Sequence, residues 1–205
     1  PSISTIYKIG GLAFLVMLIS LFVWSERSRT SNILPLHLFC RSYFHIGLVT
    51  AAVSFATLFV VLILMPFYLD YVKEMPPKAV GLVMMSVPLT LFIVSPSAGM
   101  LYDRFGSRYL TTCGLIICFV ALLLLASLTV DSSLFDICWR LALLGMGQSM
   151  FLSPNTASLL SRIADADAGI TSGLLATSRN LGMLLGSAFA GIVFAAWFSF
   201  FTGGG

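Results

Sequence analysis

Charge is what this sequence has least of. Of its 205 residues, eleven are Lys or Arg and eight are Asp or Glu, about 9% together, against roughly a quarter in an ordinary soluble domain. That supply is too small for a water-soluble globule, and apolar residues at 59% take up the difference. Nor do the basic residues gather on one face. They fall in short stretches between apolar runs, which excludes a nucleic-acid-binding surface. Cysteine is scarce too. Cys40, Cys113, Cys118 and Cys138 form no C-x-x-C pair and read as small apolar filler. His37 and His45 lack carboxylate or cysteine neighbours at metal-ligand spacing. No metal, no cofactor and no enzyme activity are expected, because no group of His, Asp or Glu recurs at one level.

What the sequence does have is long runs without charge. Six of them cover 9–25, 42–69, 79–102, 109–130, 141–161 and 180–205. A helix needs about 20 apolar residues to cross the hydrocarbon core of a bilayer. Five windows exceed that length and the first sits at the lower limit. Runs such as Val60-Val61-Leu62-Ile63-Leu64-Met65 do not alternate as the strands of a membrane barrel must. The first run has neither a basic n-region nor a small-residue cleavage site, so it reads as a span and not a signal peptide. The expected fold is an all-α, multi-pass integral membrane protein in the lipid bilayer. Its six spans fall near 7–25, 43–69, 79–101, 108–130, 137–160 and 169–200.

Orientation follows the basic residues of the short loops. One side holds Arg27, Arg29, Arg41, Arg104, Arg108 and Arg162; the other holds Lys8, Lys73, Lys78 and Arg140. The first side is expected to be cytoplasmic, in the plasma membrane, with both ends of the chain outside. Leu34-Pro35-Leu36-His37-Leu38-Phe39 is apolar but too short to cross, and is expected to lie along the cytoplasmic interface. The chain begins at Pro1 and stops in three glycines, as expected of a piece of a longer protein.

Polar residues are costly in lipid, so where they align they face protein or water. Placed at 100° per residue, Thr50, Ser54, Thr57 and Tyr68 share one face of the second span. Ser86, Thr90 and Ser97 share a face of the third, with Pro88 able to kink it. Gln148 and Asn155 share a face of the fifth beside Pro154, and their amides are hard to satisfy within one helix. The second and fifth spans therefore read as cavity-lining, and the first and fourth as lipid-facing. The alternative for each hydroxyl is a bond to its own helix backbone. In the sixth span Gly182 and Gly186 form a G-x-x-x-G that Ala190 extends, a stripe that lets helix backbones approach. Arg179 lies on the same face. It reads either as an arginine reaching for the interface or as a residue on a substrate pathway or gate, with the amide oxygens of Gln148 or Asn155, loop carbonyls or a group outside this chain as acceptors.

Between the third and fourth spans stands Gly99-Met100-Leu101-Tyr102-Asp103-Arg104-Phe105-Gly106-Ser107-Arg108. Gly99 would let the third span end close to its neighbour, and Asp103 would cap the next helix. Gly106 would allow a tight turn, and Arg104 and Arg108 would hold the loop at an anionic surface. This segment resembles the G-x-x-x-D-R-x-G-R-R loop of the major facilitator superfamily, with Ser107 in place of the first basic residue of the closing pair. Pro35 to Phe39, Leu64 to Leu69 and the run Ser172-Gly173-Leu174-Leu175-Ala176-Thr177-Ser178-Arg179-Asn180-Leu181-Gly182 look like segments of its 14-span drug:proton antiporters, the EmrB/QacA-like group. Asp70 and Asn180 stand where that group usually has Gln.

The resemblance implies an architecture and an activity. Residues 1–42 would supply an extra central helix and a cytoplasmic interfacial linker. Residues 43–205 would supply the first five helices of the C-terminal half of the bundle, lacking its last helix and the whole N-terminal half. The implied function is proton-coupled export of small amphipathic or hydrophobic compounds, with Thr57, Tyr68, Asp70, Gln148, Asn155, Arg179 and Asn180 as candidate pathway residues. All eight acids lie in loops or at span ends, so an acid for proton coupling is expected in the missing half. Two alternatives stand beside this: a dedicated transporter of a siderophore, amino acid or lipid, and a membrane scaffold that transports nothing.

Overall fold

The computed structural model describes Met17, residues 42–163 and residues 167–202, with the last six of these described by backbone alone. The chain divides into two units, Pro1–Cys40 and Arg41–Gly205, and all described residues but Met17 belong to the second. The expected span at 7–25 and the interfacial segment at 34–39 lie outside the described residues.

Proline and glycine punctuate the helices where the charge pattern breaks. Helix α1 (Ser42–Phe67) runs through Pro66 into a π-helical turn, Tyr68–Val72. Pro66 withdraws one backbone donor, and the wider turn follows directly. Glu74 reverses the chain with a positive φ of 51°. Pro76 and Pro77 then open α2 (Pro77–Met84), Pro77 sitting where its missing N–H costs nothing. Helix α3 (Ser86–Phe105) continues almost without a break after Met85, and Pro88 in its first turn marks the joint. Gly106 turns the chain at φ 78°, a conformation that favours glycine, directly into α4 (Ser107–Ala126). Ser133 caps α5 (Leu134–Leu160) by accepting from the Asp136 N–H at 3.1 Å. Helix α6 is Ala168–Thr202.

Four of the described stretches are long and apolar enough to cross a membrane: Ser42–Val72, Pro77–Phe105, Ser107–Ala126 and Ala168–Ala196. Helix α5 is not among these four, although its 27 residues give it the length. It carries Asp136, Arg140, Gln148 and Asn155, and α3 and α4 pack on it.

The packing exchanges partners between two groups of helices. α1 packs most extensively on α6, and α5 on α3 and α4; α1 and α5 touch more sparingly. The α1–α6 contact is a parallel ladder. A methyl placed on Gly182 would lie 2.1 Å from the Ala52 carbonyl oxygen, and one on Gly186 would lie 2.2 Å from that of Ala56. Ser178, one turn earlier, donates to the Leu48 carbonyl at 2.6 Å. The small stripe is therefore Ser178–Gly182–Gly186–Ala190, with Ala190 fully buried. The α4–α5 contact is an antiparallel counterpart. A methyl on Gly114 would lie 2.6 Å from the Phe151 N–H nitrogen, and one on Gly147 would lie 2.8 Å from the Cys118 backbone. Gly145 meets the Val87 carbonyl of α3 in the same way, at 2.6 Å. Small residues let backbones meet where apolar lipid gives helices no hydrophobic reason to associate.

The fourth span packs by one face only. The fourth span, read as lipid-facing, has a buried stripe of Leu110, Gly114, Cys118, Ala121 and Leu125 against α5. Its other side, Ile116, Phe119, Val120 and Leu123, is exposed. Exposed leucines, isoleucines and phenylalanines also cover α3 and α6, an outward surface suited to lipid or to further helices and unsuited to water. The buried apolar cluster sits towards one end of the bundle. Leu58, Val61 and Met65 of α1, Leu69 of the π-helical turn, Val83 of α2, Val87 of α3, Cys118 to Leu125 of α4 and Ile137 to Leu144 of α5 build it.

Candidate functional site

Beyond that apolar cluster the helices meet through polar side chains. α1 and α5 run antiparallel, and two residue pairs two turns apart join them. Gln148 is 3% exposed and uses both ends of its amide on one residue. Its Oε1 accepts from Ser54 Oγ at 2.5 Å, and its Nε2 donates to the Ser54 carbonyl at 2.9 Å. Asn155, also buried, donates from Nδ2 to the Gly47 carbonyl at 3.2 Å. Seven residues separate the partners on each helix, which keeps both pairs on one seam. These amides are interhelical ties.

Arg179 lies where α6 reaches α5. It is half-buried, its Nη2 donates to Thr156 Oγ1 at 2.6 Å, and its guanidinium stands 5.6 Å from the centre of the Phe55 ring. Thr156, not Gln148 or Asn155, is therefore its acceptor; the Gln148 oxygen is taken by Ser54, and Asn155 turns its amide nitrogen to the Gly47 carbonyl of α1. Arg179 borders a cavity of about 400 Å³ lined by Leu91 and Ser95 of α3 and by Ser149, Leu152, Ser153 and Thr156 of α5. Ser149 is almost fully buried and donates to the Leu91 carbonyl at 3.4 Å.

The remaining candidates are dispersed. Thr57 donates to the Val53 and Ser54 carbonyls of its own helix, and Thr50 to those of Ile46 and Gly47, as mid-helix hydroxyls commonly do. Thr90 does the same to Ser86. Tyr68 lies at the far end of the bundle and donates to the Thr129 carbonyl at 2.7 Å. Asp70 is exposed on the π-helical turn, and Asn180 is exposed on α6. At the Tyr68 end, an apolar cavity of about 270 Å³ is lined by Phe67, Tyr68, Tyr71, Val72, Val193 and Phe194. Phe67 and Phe194 stack there at 4.4 Å.

The Gly99–Arg108 segment departs from its expected local structure. Helix α3 extends through Phe105, so Asp103 stands in its last turn, exposed, and not in a loop. Helix α4 begins at Ser107 with Gly106 as its cap residue and no side chain bonded to its first amides; the expected Asp103 cap is not formed. Nothing lies within 4 Å of a methyl placed on Gly99, so among the described residues it serves no close helix approach. Gly106 does make the turn. Arg104 and Arg108 are exposed. Arg108 and Arg162 border another cavity of about 430 Å³ with Tyr43, Thr111 and Asn155, and Arg162 stands over the Tyr43 ring at 5.3 Å.

Sequence reasoning missed three things here: Thr156, Ser178 and the glycines of α4 and α5. A hydroxyl beside Pro154, a single glycine on α4 and a G-x-G on α5 make no small-residue stripe at the four-residue spacing of a helix face.

Comparison with known proteins supplies what geometry alone does not. Residues 2–202 match the family model described as Major Facilitator Superfamily. The chain is 31% identical over 185 residues to the riboflavin transporter RibZ of Clostridioides difficile, a match covering 90% of this chain and 40% of that protein. It is 31% identical over 180 residues to the multidrug resistance protein Stp of Mycobacterium tuberculosis, covering 88% of this chain and 33% of Stp. It is 29% identical over 155 residues to the lincomycin resistance protein LmrB of Listeria monocytogenes, covering 76% of this chain and 32% of LmrB. The matched segment thus spans 32–40% of the length of these curated relatives.

Proposed function

The chain belongs to the Major Facilitator Superfamily, a family of membrane transporters, and from that premise we propose that it is part of an exporter of small amphipathic or hydrophobic compounds. The observation that carries the proposal is the Arg179 cavity. It is a cation-bearing space of about 400 Å³ into which Ser95, Ser149, Ser153 and Thr156 also face, and intramembrane charge of this kind is retained for function. Relatives named for multidrug and lincomycin resistance support export of drug-like compounds. One observation favours a second reading, a dedicated transporter of one metabolite: RibZ, named for riboflavin, is as similar to this chain as Stp is.

On this reading helices α1 to α6 are most of one transporter half. The other half, outside these residues, rocks against it to expose a midplane site to each side in turn. The end bearing Arg104, Arg108 and Arg162 faces the cytoplasm of a plasma-membrane protein, the end bearing Lys73 and Arg140 faces outside, and α5 is a span. Protons drive the cycle through an acid of the other half. Asp103 works as a gate contact to a neighbouring segment. An acid in the last turn of a helix opposes the dipole at that end, at a cost of about 0.3–1 kcal/mol, and a partner elsewhere would offset that cost.

The test is efflux of a fluorescent amphipathic dye from cells expressing the full-length protein, normalised to its abundance in the membrane. Expression should lower dye accumulation, and Asp103→Asn should reduce that effect several-fold at unchanged abundance. Unaltered accumulation of every dye, with uptake or export of a single vitamin or amino acid, would select the second reading. No transport phenotype of either kind would leave only a scaffold.

A further inference from the structure

The cavity beside Arg179 has a chemical preference built into it. A guanidinium carries five N–H donors and no acceptor. Here one donor is taken by Thr156, whose own hydroxyl donates onward to the Leu152 carbonyl at 2.7 Å and so turns a lone pair to Arg179. The Nε–H is buried with no partner. The described acids are Asp70, Glu74, Asp103, Asp131, Asp136 and Asp167, and none of them lines this cavity. Ser95 and Ser153 do line it, and among the described residues neither hydroxyl is bonded to another group. A half-desolvated cation is thus surrounded by hydroxyl donors in a space large enough for a small ring with a polar head. Burial makes the missing counter-charge expensive, and a planar fork suits a two-oxygen anion better than a single oxygen.

We propose that this cavity is a carboxylate-binding site, in which the uncommitted donors of Arg179 take the carboxylate oxygens and Ser95 and Ser153 add hydroxyl bonds. The carboxylate has two sources: a transported compound bearing an acidic group, or an acidic side chain from the part of the protein outside these residues. The inference rests on the transport reading for its first source. It adds to that reading a substrate class, amphipathic acids, and the exclusion of cations from this cavity.

The experiment is thermal unfolding of the purified full-length protein, with sodium benzoate as probe and benzylammonium chloride at equal ionic strength as the cation control. If the carboxylate is diffusible, benzoate raises the unfolding temperature saturably and benzylammonium does not. Arg179→Gln should then weaken the apparent benzoate affinity about tenfold or more, the weight of one charge-assisted hydrogen bond. Arg179→Lys should keep the charge and part of the affinity, and it carries the comparison if the Gln variant does not accumulate. If the carboxylate is internal, benzoate has no effect on the wild type. The stability gap between wild type and Arg179→Gln then closes as pH falls from 7 to 4, because a carboxylate paired with arginine has a lowered pKa and contributes only while ionised. Equal benzoate responses in both proteins together with a pH-independent gap overturn the proposal. Dye efflux by the same protein reports separately. Export without either thermal signature overturns the carboxylate site alone, and a benzoate shift without any transport overturns the transport reading alone.

Discussion

At the Lys73 end of the bundle, helices meet through apolar side chains and the connecting loop is fastened down. At the Arg104 end, they meet through hydroxyls and amides, and the basic residues stand free of the loop. The first end holds the buried cluster of Leu58 to Leu69, Cys118 to Leu125 and Ile137 to Leu144. Three donors secure the 127–133 loop above it. Tyr68 bonds the Thr129 carbonyl, Lys73 bonds those of Val130 and Ser132 at 2.5 Å, and Arg140 bonds the Leu124 carbonyl and Ser127 Oγ. The second end has the Ser54–Gln148 and Gly47–Asn155 ties, the two cavities of about 400 and 430 Å³, and exposed Arg104, Arg108 and Arg162. Apolar packing is non-directional and dense. A few directional bonds across a gapped seam define only a few arrangements and can be exchanged. On the proposed transport cycle, that difference would place rigidity at one end and rearrangement at the other.

Glycine joins both ends, so overfilling the glycine seam should have the largest effect. Gly186→Leu must push α6 off Ala56, whose carbonyl oxygen lies 2.2 Å from the first added carbon. Overpacking of this kind costs about 3 kcal/mol, and the full-length protein should accumulate poorly and unfold many degrees lower. Gly191→Leu on the same helix meets nothing within 4 Å and should be neutral. Equal stability of the two variants in a detergent melt would show that α1 and α6 do not meet as described.

The polar seam comes next. Gln148→Leu removes both bonds to Ser54 and leaves a buried hydroxyl with only its own helix to turn to. Interhelical polar bonds in membranes are worth about 0.6 kcal/mol on average and up to about 1.7, and the double bond here belongs near the upper figure. Ser54→Ala with Gln148→Leu should recover part of the loss, because no orphaned donor remains. A double-mutant cycle with zero coupling would disconnect the two helices. At the other end, Lys73→Met should cost less, about 1 kcal/mol, since its bonds are partly open to solvent. Its clearer sign is kinetic: an impermeant maleimide should label Ser132→Cys several-fold faster once Lys73 no longer holds that loop. Labelling from outside intact cells also tests the orientation, and Ser107→Cys should stay unlabelled.

How much of this was legible without coordinates depended on whether the signal was local. Helix positions followed from charge-free length, and the Gly182–Gly186–Ala190 stripe from a spacing within one helix. The Gly114–Gly147 seam was invisible because neither glycine has a small partner four residues away on its own helix: the one after Gly114 is Cys118, a residue that reads as filler, and Gly147 is flanked at that spacing by Leu143 and Phe151. Asp103 was misplaced because nothing between Pro96 and Gly106 stops α3, and the helix runs past the acid before glycine ends it. The acceptor for Arg179 depended on register. Gln148 and Asn155 look available on a wheel, but the antiparallel fit of α1 against α5 takes the Gln148 oxygen and turns Asn155 towards Gly47, and the hydroxyl of Thr156 is what α6 finds. Local patterns predict elements; which face of one element meets which face of another is decided by pairs of residues a hundred positions apart.

The smallest expected effect sharpens that last point. On a wheel Thr57 shares a face with Ser54 and reads as cavity-lining, but its hydroxyl donates to the Val53 carbonyl at 3.0 Å and to the Ser54 carbonyl at 2.9 Å. Both acceptors belong to α1 itself and already serve the helix ladder. Removing the hydroxyl therefore orphans nothing, and the branched shape of valine keeps the same packing and the same χ1 preference. Thr57→Val should change stability by less than about 0.5 kcal/mol and leave dye efflux unchanged, whereas Thr156→Val, which deprives Arg179 of its acceptor, should lower both. If instead Thr57→Val impairs efflux at full abundance while Thr156→Val does not, the pathway runs along α1 and not through the gap between α3, α5 and α6, and the assignment of the polar end must shift from the Arg179 cavity to the α1 face.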